Sequence, residues 1–177
     1  MLFRSEIHQL WLTNTQVNFC AAAFPTVAES HEDSVSLSIL AALLRNTYLH
    51  AELREKGGAY GGGAVHDTAN GVFRFYSYRD PQLEQSFEIF SGALAWLRQQ
   101  RNIGALVEES VLSVIASLDA PASPAGESRS AFHLSLTGRT PTYRQQLRQR
   151  LLRVQPDAVL AVAETYLAGE CQIGRAH

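Results

Sequence analysis

Leu53-Arg54-Glu55-Lys56-Gly57-Gly58-Ala59-Tyr60-Gly61-Gly62-Gly63-Ala64 joins a long helix to a strand, and its reading decides the fold. Upstream, Leu37, Ile39, Leu40, Leu43, Leu44 and Tyr48 spread over a broad arc of one helical pattern, from about Asp33 to Glu55. A helix apolar over so wide an arc is largely buried. Ser30-His31-Glu32-Asp33 supplies its start signal, a capping hydroxyl with acids in the first turn. Gly57-Gly58 stops it, because glycine takes the left-handed conformation of a helix C-terminus without a Cβ clash. Downstream, Ala59 to Val65 leads into Asp67-Thr68-Ala69-Asn70-Gly71, a turn whose strongest signal is Asn-Gly. Val72, Phe73, Phe75, Tyr76 and Tyr78 then make the second strand of an antiparallel hairpin.

Further out, Thr15 to Phe24 alternates with period two and reads as a strand ended by Pro25. Asp80-Pro81 reads as a cap followed by proline at the first helical position. Leu83, Phe87, Phe90, Leu94 and Leu97 then mark the clearest amphipathic helix of the chain. Further helices are expected from about Ala105 to Leu118, around Ser128 to Leu136, from Thr140-Pro141 to about Val154, and from Pro156 to Gly169. Asp119 to Gly126 is read as a loop. Strand, long helix, hairpin and then several helices predict an α+β fold, an antiparallel sheet with helices packed on one face. The chain, 1–177, reads as a single domain with a lead-in over 1–14, a core over 15–168 and an atypical tail over 169–177.

Composition narrows the function classes. Across 177 residues, 46% are hydrophobic and 18% charged, which supports a real core and excludes an intrinsically disordered segment. No apolar run approaches the roughly 20 residues of a membrane-spanning helix. Met1-Leu2-Phe3-Arg4-Ser5-Glu6 lacks the basic-then-apolar pattern of a signal peptide. A net charge of −2 makes no electrostatic case for nucleic acid as a partner. Cys20 and Cys171 form no metal-type spacing, and so few cysteines suit a reducing compartment.

The residues that carry chemistry are few. His8, His31, His50, His66, His133 and His177 form no H-E-x-x-H or H-x-x-E-H pattern, so a zinc site built from this chain alone is not expected. No G-x-S-x-G occurs. Gly61-Gly62-Gly63 lacks the Lys-Ser/Thr of a phosphate loop and enters a strand instead of opening a helix. Tyr76-Ser77-Tyr78-Arg79 is read as an aromatic strand in the sheet core. The opening stretch differs, since it places Arg54 on the last helical turn and Tyr60 on the adjoining strand, at one rim of the sheet. There a guanidinium could grip a peptide carbonyl and a phenol could donate to a developing oxyanion. The glycines around them, Gly58, Gly61 and Gly62, would let another backbone approach closely. A simpler reading stays open beside it: arginine suits a helix C-terminus, and Gly-Gly is a stop.

That stretch resembles the C-terminal half of the pitrilysin/insulinase family of zinc metallopeptidases, most of all its presequence-protease branch. The resemblance extends to the strand before the long helix, the Tyr60 hairpin, Arg79-Asp80-Pro81, and Leu118-Asp119-Ala120-Pro121-Ala122-Ser123-Pro124, in the same order. It implies one half of a clamshell around a closed chamber, in which the zinc is held by the N-terminal half and none by this one. It implies that Arg54 holds the substrate backbone and Tyr60 stabilises the tetrahedral intermediate, and that the partner is the zinc-bearing half. The implied substrates are unstructured peptides, with no nucleic acid and no membrane. The implied compartment is the cytoplasm if the source is bacterial, towards which the arginine-rich composition leans, or an organelle matrix if it is eukaryotic. The family's closing strand after the last helix is not evident over Gly169 to His177. Alone, the chain is expected to hydrolyse nothing. The alternative reading is a catalytically inactive binding or assembly module related to processing-peptidase subunits.

Overall fold

A computed structural model describes residues 16–121, 123–136, 141–169 and 172–176. Thr15 and Thr140, where two expected elements begin, lie outside them. The sheet has four antiparallel strands in the order β2-β3-β1-β4, where β1 is Asn18–Pro25, β2 Gly61–Asp67, β3 Val72–Asp80 and β4 Gln172–Ala176. The helices are α1 (Asp33–Leu44), α2 (Glu84–Arg98), α3 (Ile103–Leu118), α4 (Pro124–Leu136), α5 (Pro141–Leu152) and α6 (Pro156–Leu167). A π-helical segment, Arg45–Lys56, continues α1. The α+β class and the helix-covered sheet are as the sequence predicts.

Period-two alternation sorts the sheet. Cys20, Ala22 and Phe24 of β1, Ala64 of β2 and Phe73 and Phe75 of β3 are buried against the helices. Phe75 sits at the centre of this layer, with ring centroids 5.9 Å from Phe24, 5.4 Å from Phe73 and 5.5 Å from Phe90 of α2. Leu37, Ile39, Leu40, Leu43 and Leu44 are all 0% exposed, because α1 lies between the sheet and an outer layer that includes α3, α5 and α6. That is what its broad apolar arc foretold.

Local chemistry departs from expectation in several places. The N-cap position of α1 is Glu32, whose side chain makes no capping bond; the Asp33 N–H donates to His31 Nδ1 at 3.1 Å instead of to the expected Ser30 hydroxyl. The expected single helix changes register at Arg45, where the Thr47 hydroxyl donates to the Leu43 carbonyl at 2.6 Å. A hydroxyl that bonds back onto its own helix competes with the regular ladder. The Asn-Gly turn is closed by Asp67, whose Oδ1 accepts from the Ala69 and Asn70 N–H groups at 3.2 Å each. Asp80 does not cap α2, which starts at Glu84. Its carboxylate is 1% exposed and accepts from the Gln82 N–H at 2.8 Å and the Ser86 hydroxyl at 2.6 Å. A closing strand, not evident in the sequence, does follow the last helix: β4 pairs with β1 from Phe19↔Ala176 to Ala23↔Gln172.

His66 on β2 is 8% exposed, with Nδ1 3.1 Å from the Ser34 carbonyl and Nε2 3.0 Å from the Val27 carbonyl. Burial pushes its pKa below the usual 6.5, outweighing the two carbonyls and Asp67, which act the other way. A neutral imidazole in the fold and an ordinary one in the unfolded chain make the unfolded chain the better proton binder below that value. Stability from this group is therefore full above pH 6.5 and is lost as the pH falls towards the lowered folded value. Urea unfolding from about pH 7.5 down to about pH 5.5 should cost the native chain more stability than it costs a His66→Asn variant. Parallel curves would show that His66 does not carry the effect.

Candidate functional site

The site is built where the π-helical segment ends. There the Gly57 N–H donates to the Glu52 carbonyl at 2.9 Å, the Gly58 N–H to Arg54 at 3.3 Å and the Ala59 N–H to Leu53 at 2.9 Å. A Cβ on Gly57 would lie 2.8 Å from the Leu53 carbonyl oxygen, so the widened helix end leaves no room for a side chain. Gly58 has φ of +76°, the left-handed turn that carries the chain from helix to strand. A Cβ there would meet nothing closer than Pro81 Cγ at 3.6 Å, so the backbone conformation alone demands glycine. Gly58→Ala should therefore lower stability by about 1–2 kcal/mol, read from the urea midpoint at constant slope. An unchanged midpoint would mean that the turn accepts another conformation.

Arg54 and Tyr60 flank this turn, and both are exposed, Tyr60 to 64%. Their neighbours in the motif are engaged locally: Lys56 Nζ is 2.6 Å from Glu52 Oε1, and Glu55 Oε1 is 3.3 Å from His50 Nδ1. Among the described residues, neither the Arg54 guanidinium nor the Tyr60 hydroxyl has a hydrogen-bond partner. The Tyr60 ring is nevertheless braced. It meets Tyr78 edge-on at 5.8 Å and 61°, the Arg79 guanidinium lies 5.4 Å from its centroid, and its N–H donates to the Arg79 carbonyl at 3.3 Å.

The glycines have internal duties. Gly61 faces Tyr78 across the strands, and a Cβ there would lie 2.4 Å from the Tyr78 ring. A Cβ on Gly62 would lie 2.6 Å from Leu53 Cδ1 and 2.9 Å from the Tyr76 carbonyl oxygen. So the bare strand lets the chain's own Tyr78 and Leu53 pack closely, while both glycine backbones stay half-buried at the same end of the sheet.

Sequence reading missed the face that Tyr76, Tyr78 and Arg79 adopt. It assigned the aromatic strand to the core, whereas of its aromatic residues only Phe73 and Phe75 are buried, with Ser77 and Asp80 beside them on the inner face. Tyr78 is 38% exposed and pairs with Phe19, itself 46% exposed, on the face away from the helices. The alternation of β3 was the available signal. Among the described residues, no group of three His, Cys, Asp or Glu comes together that could hold a metal ion, so zinc does not fit the side chains described. No helix among them is long and apolar enough to cross a membrane.

The described residues thus form a helix-backed antiparallel sheet with the exposed Arg54 and Tyr60 flanking a turn at one end. Among solved structures, the chain is similar to the inactive peptidase domain of a protein described as a zinc protease from Bordetella parapertussis. The TM-score is 0.72 at 20% identity, over 90% of this chain and 91% of that one. It is also similar to pitrilysin, with a TM-score of 0.70 at 14% identity, over 94% of this chain and 19% of that one. The chain belongs to the family of PreP C-terminal domains, whose profile matches residues 8–170. It is 39% identical over 153 residues to the mitochondrial presequence protease of Kluyveromyces lactis, covering 86% of this chain and 15% of that protein. To the zebrafish (Danio rerio) mitochondrial presequence protease it is 40% identical over 151 residues, 85% of this chain and 14% of that protein. The chain thus spans about 15% of the length of the curated relatives it matches. These relatives are mitochondrial, and the bacterial leaning taken from composition finds no support in them.

Proposed function

We propose that this chain acts as the substrate-gripping, non-zinc domain of a presequence-protease-like zinc peptidase. Arg54 binds the backbone carbonyls of an extended, unstructured peptide, and its planar fork of donors suits that task. Tyr60 donates its hydroxyl hydrogen bond to the oxygen that gains charge as the scissile carbonyl is attacked. A donor placed before the reaction, where charge develops later, stabilises the transition state more than the ground state. In this reading zinc belongs to another part of the parent protein, which the likeness to domains of proteins described as zinc proteases supports. The partner is the zinc-bearing N-terminal half, and the setting is the organelle matrix, as the mitochondrial relatives suggest.

The observation that carries this reading is the Tyr60 phenol, 64% exposed yet braced by Tyr78 and Arg79, with no hydrogen bond to its hydroxyl among the described residues. An assembly module has no need to hold an exposed tyrosine in that way. The test is hydrolysis of an unstructured peptide by the parent protein with and without the Tyr60 hydroxyl. Equal turnover would hand the function to the binding-module reading.

A further inference from the structure

Arg79-Asp80-Pro81 lies directly beside the Gly58–Tyr60 turn, at the end of the neighbouring strand, and proposed catalysis leaves it without a role. The pairing of β1 with β3 slips between Asn18↔Asp80 and Phe19↔Tyr78, so Arg79 is the extra residue of a β-bulge. Its φ is 48°, and it is the only non-glycine residue with positive φ among the described residues. A left-handed backbone is costly for an L-residue with a long side chain. Regular alternation after Tyr78 would turn residue 79 inward. The bulge keeps Arg79 exposed beside Tyr78 and returns Asp80 to the buried face. Bulges re-aim side chains in this way, and retained strain of this kind points to use.

Neighbouring bonds hold the bulge in place. Asp80 is fixed by the Gln82 N–H and the Ser86 hydroxyl, and its carbonyl accepts from Asn18 Nδ2 at 3.0 Å. The position a Cβ would take on Gly58 is 3.6 Å from Pro81 Cγ, so the proline flanks the left-handed turn. From this base Arg79 reaches Tyr60 twice: its carbonyl accepts the Tyr60 N–H at 3.3 Å, and its guanidinium lies 5.4 Å from the ring centroid. A cation over one ring face, with Tyr78 edge-on, limits the swing of an otherwise exposed phenol.

We infer that Arg79 is a positioning residue for Tyr60, aimed by the bulge to hold the phenol in one orientation at the rim of the sheet. Its consequence for turnover rests on the proposed function; the positioning itself does not. Arg79→Gly tests it cleanly, because glycine adopts the left-handed backbone without strain and removes only the side chain. In this chain, with 13C-labelled tyrosine, the Tyr60 ring resonances of Arg79→Gly should move towards random-coil positions. Arg79→Lys should restore them in part, and the melting temperature of Arg79→Gly should not fall.

In the parent protein, Arg79→Gly should lower kcat about 10-fold at nearly constant KM, and should add nothing to a Tyr60→Phe background. Unmoved Tyr60 resonances in Arg79→Gly would overturn the inference. So would moved resonances with full turnover in a protein that Tyr60→Phe does impair. If Tyr60→Phe itself is fully active, the proposed function fails, and the resonances alone decide the positioning.

Discussion

Tyr60→Phe in the parent protein should lower kcat for peptide hydrolysis by about 10²–10³-fold, the usual loss on removing one oxyanion donor, about 2.7–4 kcal/mol. KM should stay within roughly threefold, because the lost bond strengthens only as charge develops. The substitution takes away one exposed oxygen and leaves the ring, with its contacts to Tyr78 and Arg79, in place. Among the described residues nothing bonds to that hydroxyl, so thermal stability should match the native protein within about 0.5 kcal/mol. A large loss of kcat at constant stability separates a chemical role from a structural one. A kcat within about twofold of native would remove Tyr60 from the mechanism, and with it the main support for a catalytic domain.

The largest effect on folding is expected at Phe75. Its side chain is 1% exposed and meets Phe24, Phe73 and Phe90, so it joins two strands to α2. Phe75→Ala should cost about 3–5 kcal/mol from lost burial plus the cavity left behind. Against a total stability of about 5–15 kcal/mol, such a loss leaves the domain marginal. Denaturant melts of the chain measure it directly, and Phe75→Leu, which keeps most of the volume, should cost far less. A loss below about 1 kcal/mol for Phe75→Ala would mean that the sheet and α2 close over the gap. Phe75 lies on the inner face of β3 and Tyr78 on the outer one, so Phe75→Leu should leave the Tyr60 rim intact.

Local signals in the sequence were enough for the class and for most elements from β1 to α6. Period-two alternation in β1 and β3, the wide apolar arc of α1, the spacing from Leu83 to Leu97 and the Gly57-Gly58 stop are each set by neighbours along the chain. Each therefore survives without knowledge of the rest. The same holds for the motif from Leu53 to Ala64, which pointed to the family before any coordinates did.

What the sequence left open depends on pairs distant along the chain. Asp80 looks like a helix cap locally, yet Ser86 and Gln82 engage it at the end of β3. β4 carries no strand signal of its own, and its partner β1 supplies the ladder that makes it one. Gly61 and Gly62 read as room for close backbone approach, and only the tertiary structure reveals that Tyr78 of the paired strand and Leu53 of the preceding helix pack where their side chains would be. Tyr60 and Arg54 were legible as candidates from spacing. The bulge that carries Arg79 to the Tyr60 ring was not, because it arises from how β1 pairs with β3. Periodicity is a property of one segment, so sequence alone determined the class, most of the elements and the motif. Register, bulges and side-chain braces are properties of two segments meeting, and only the tertiary structure decided those.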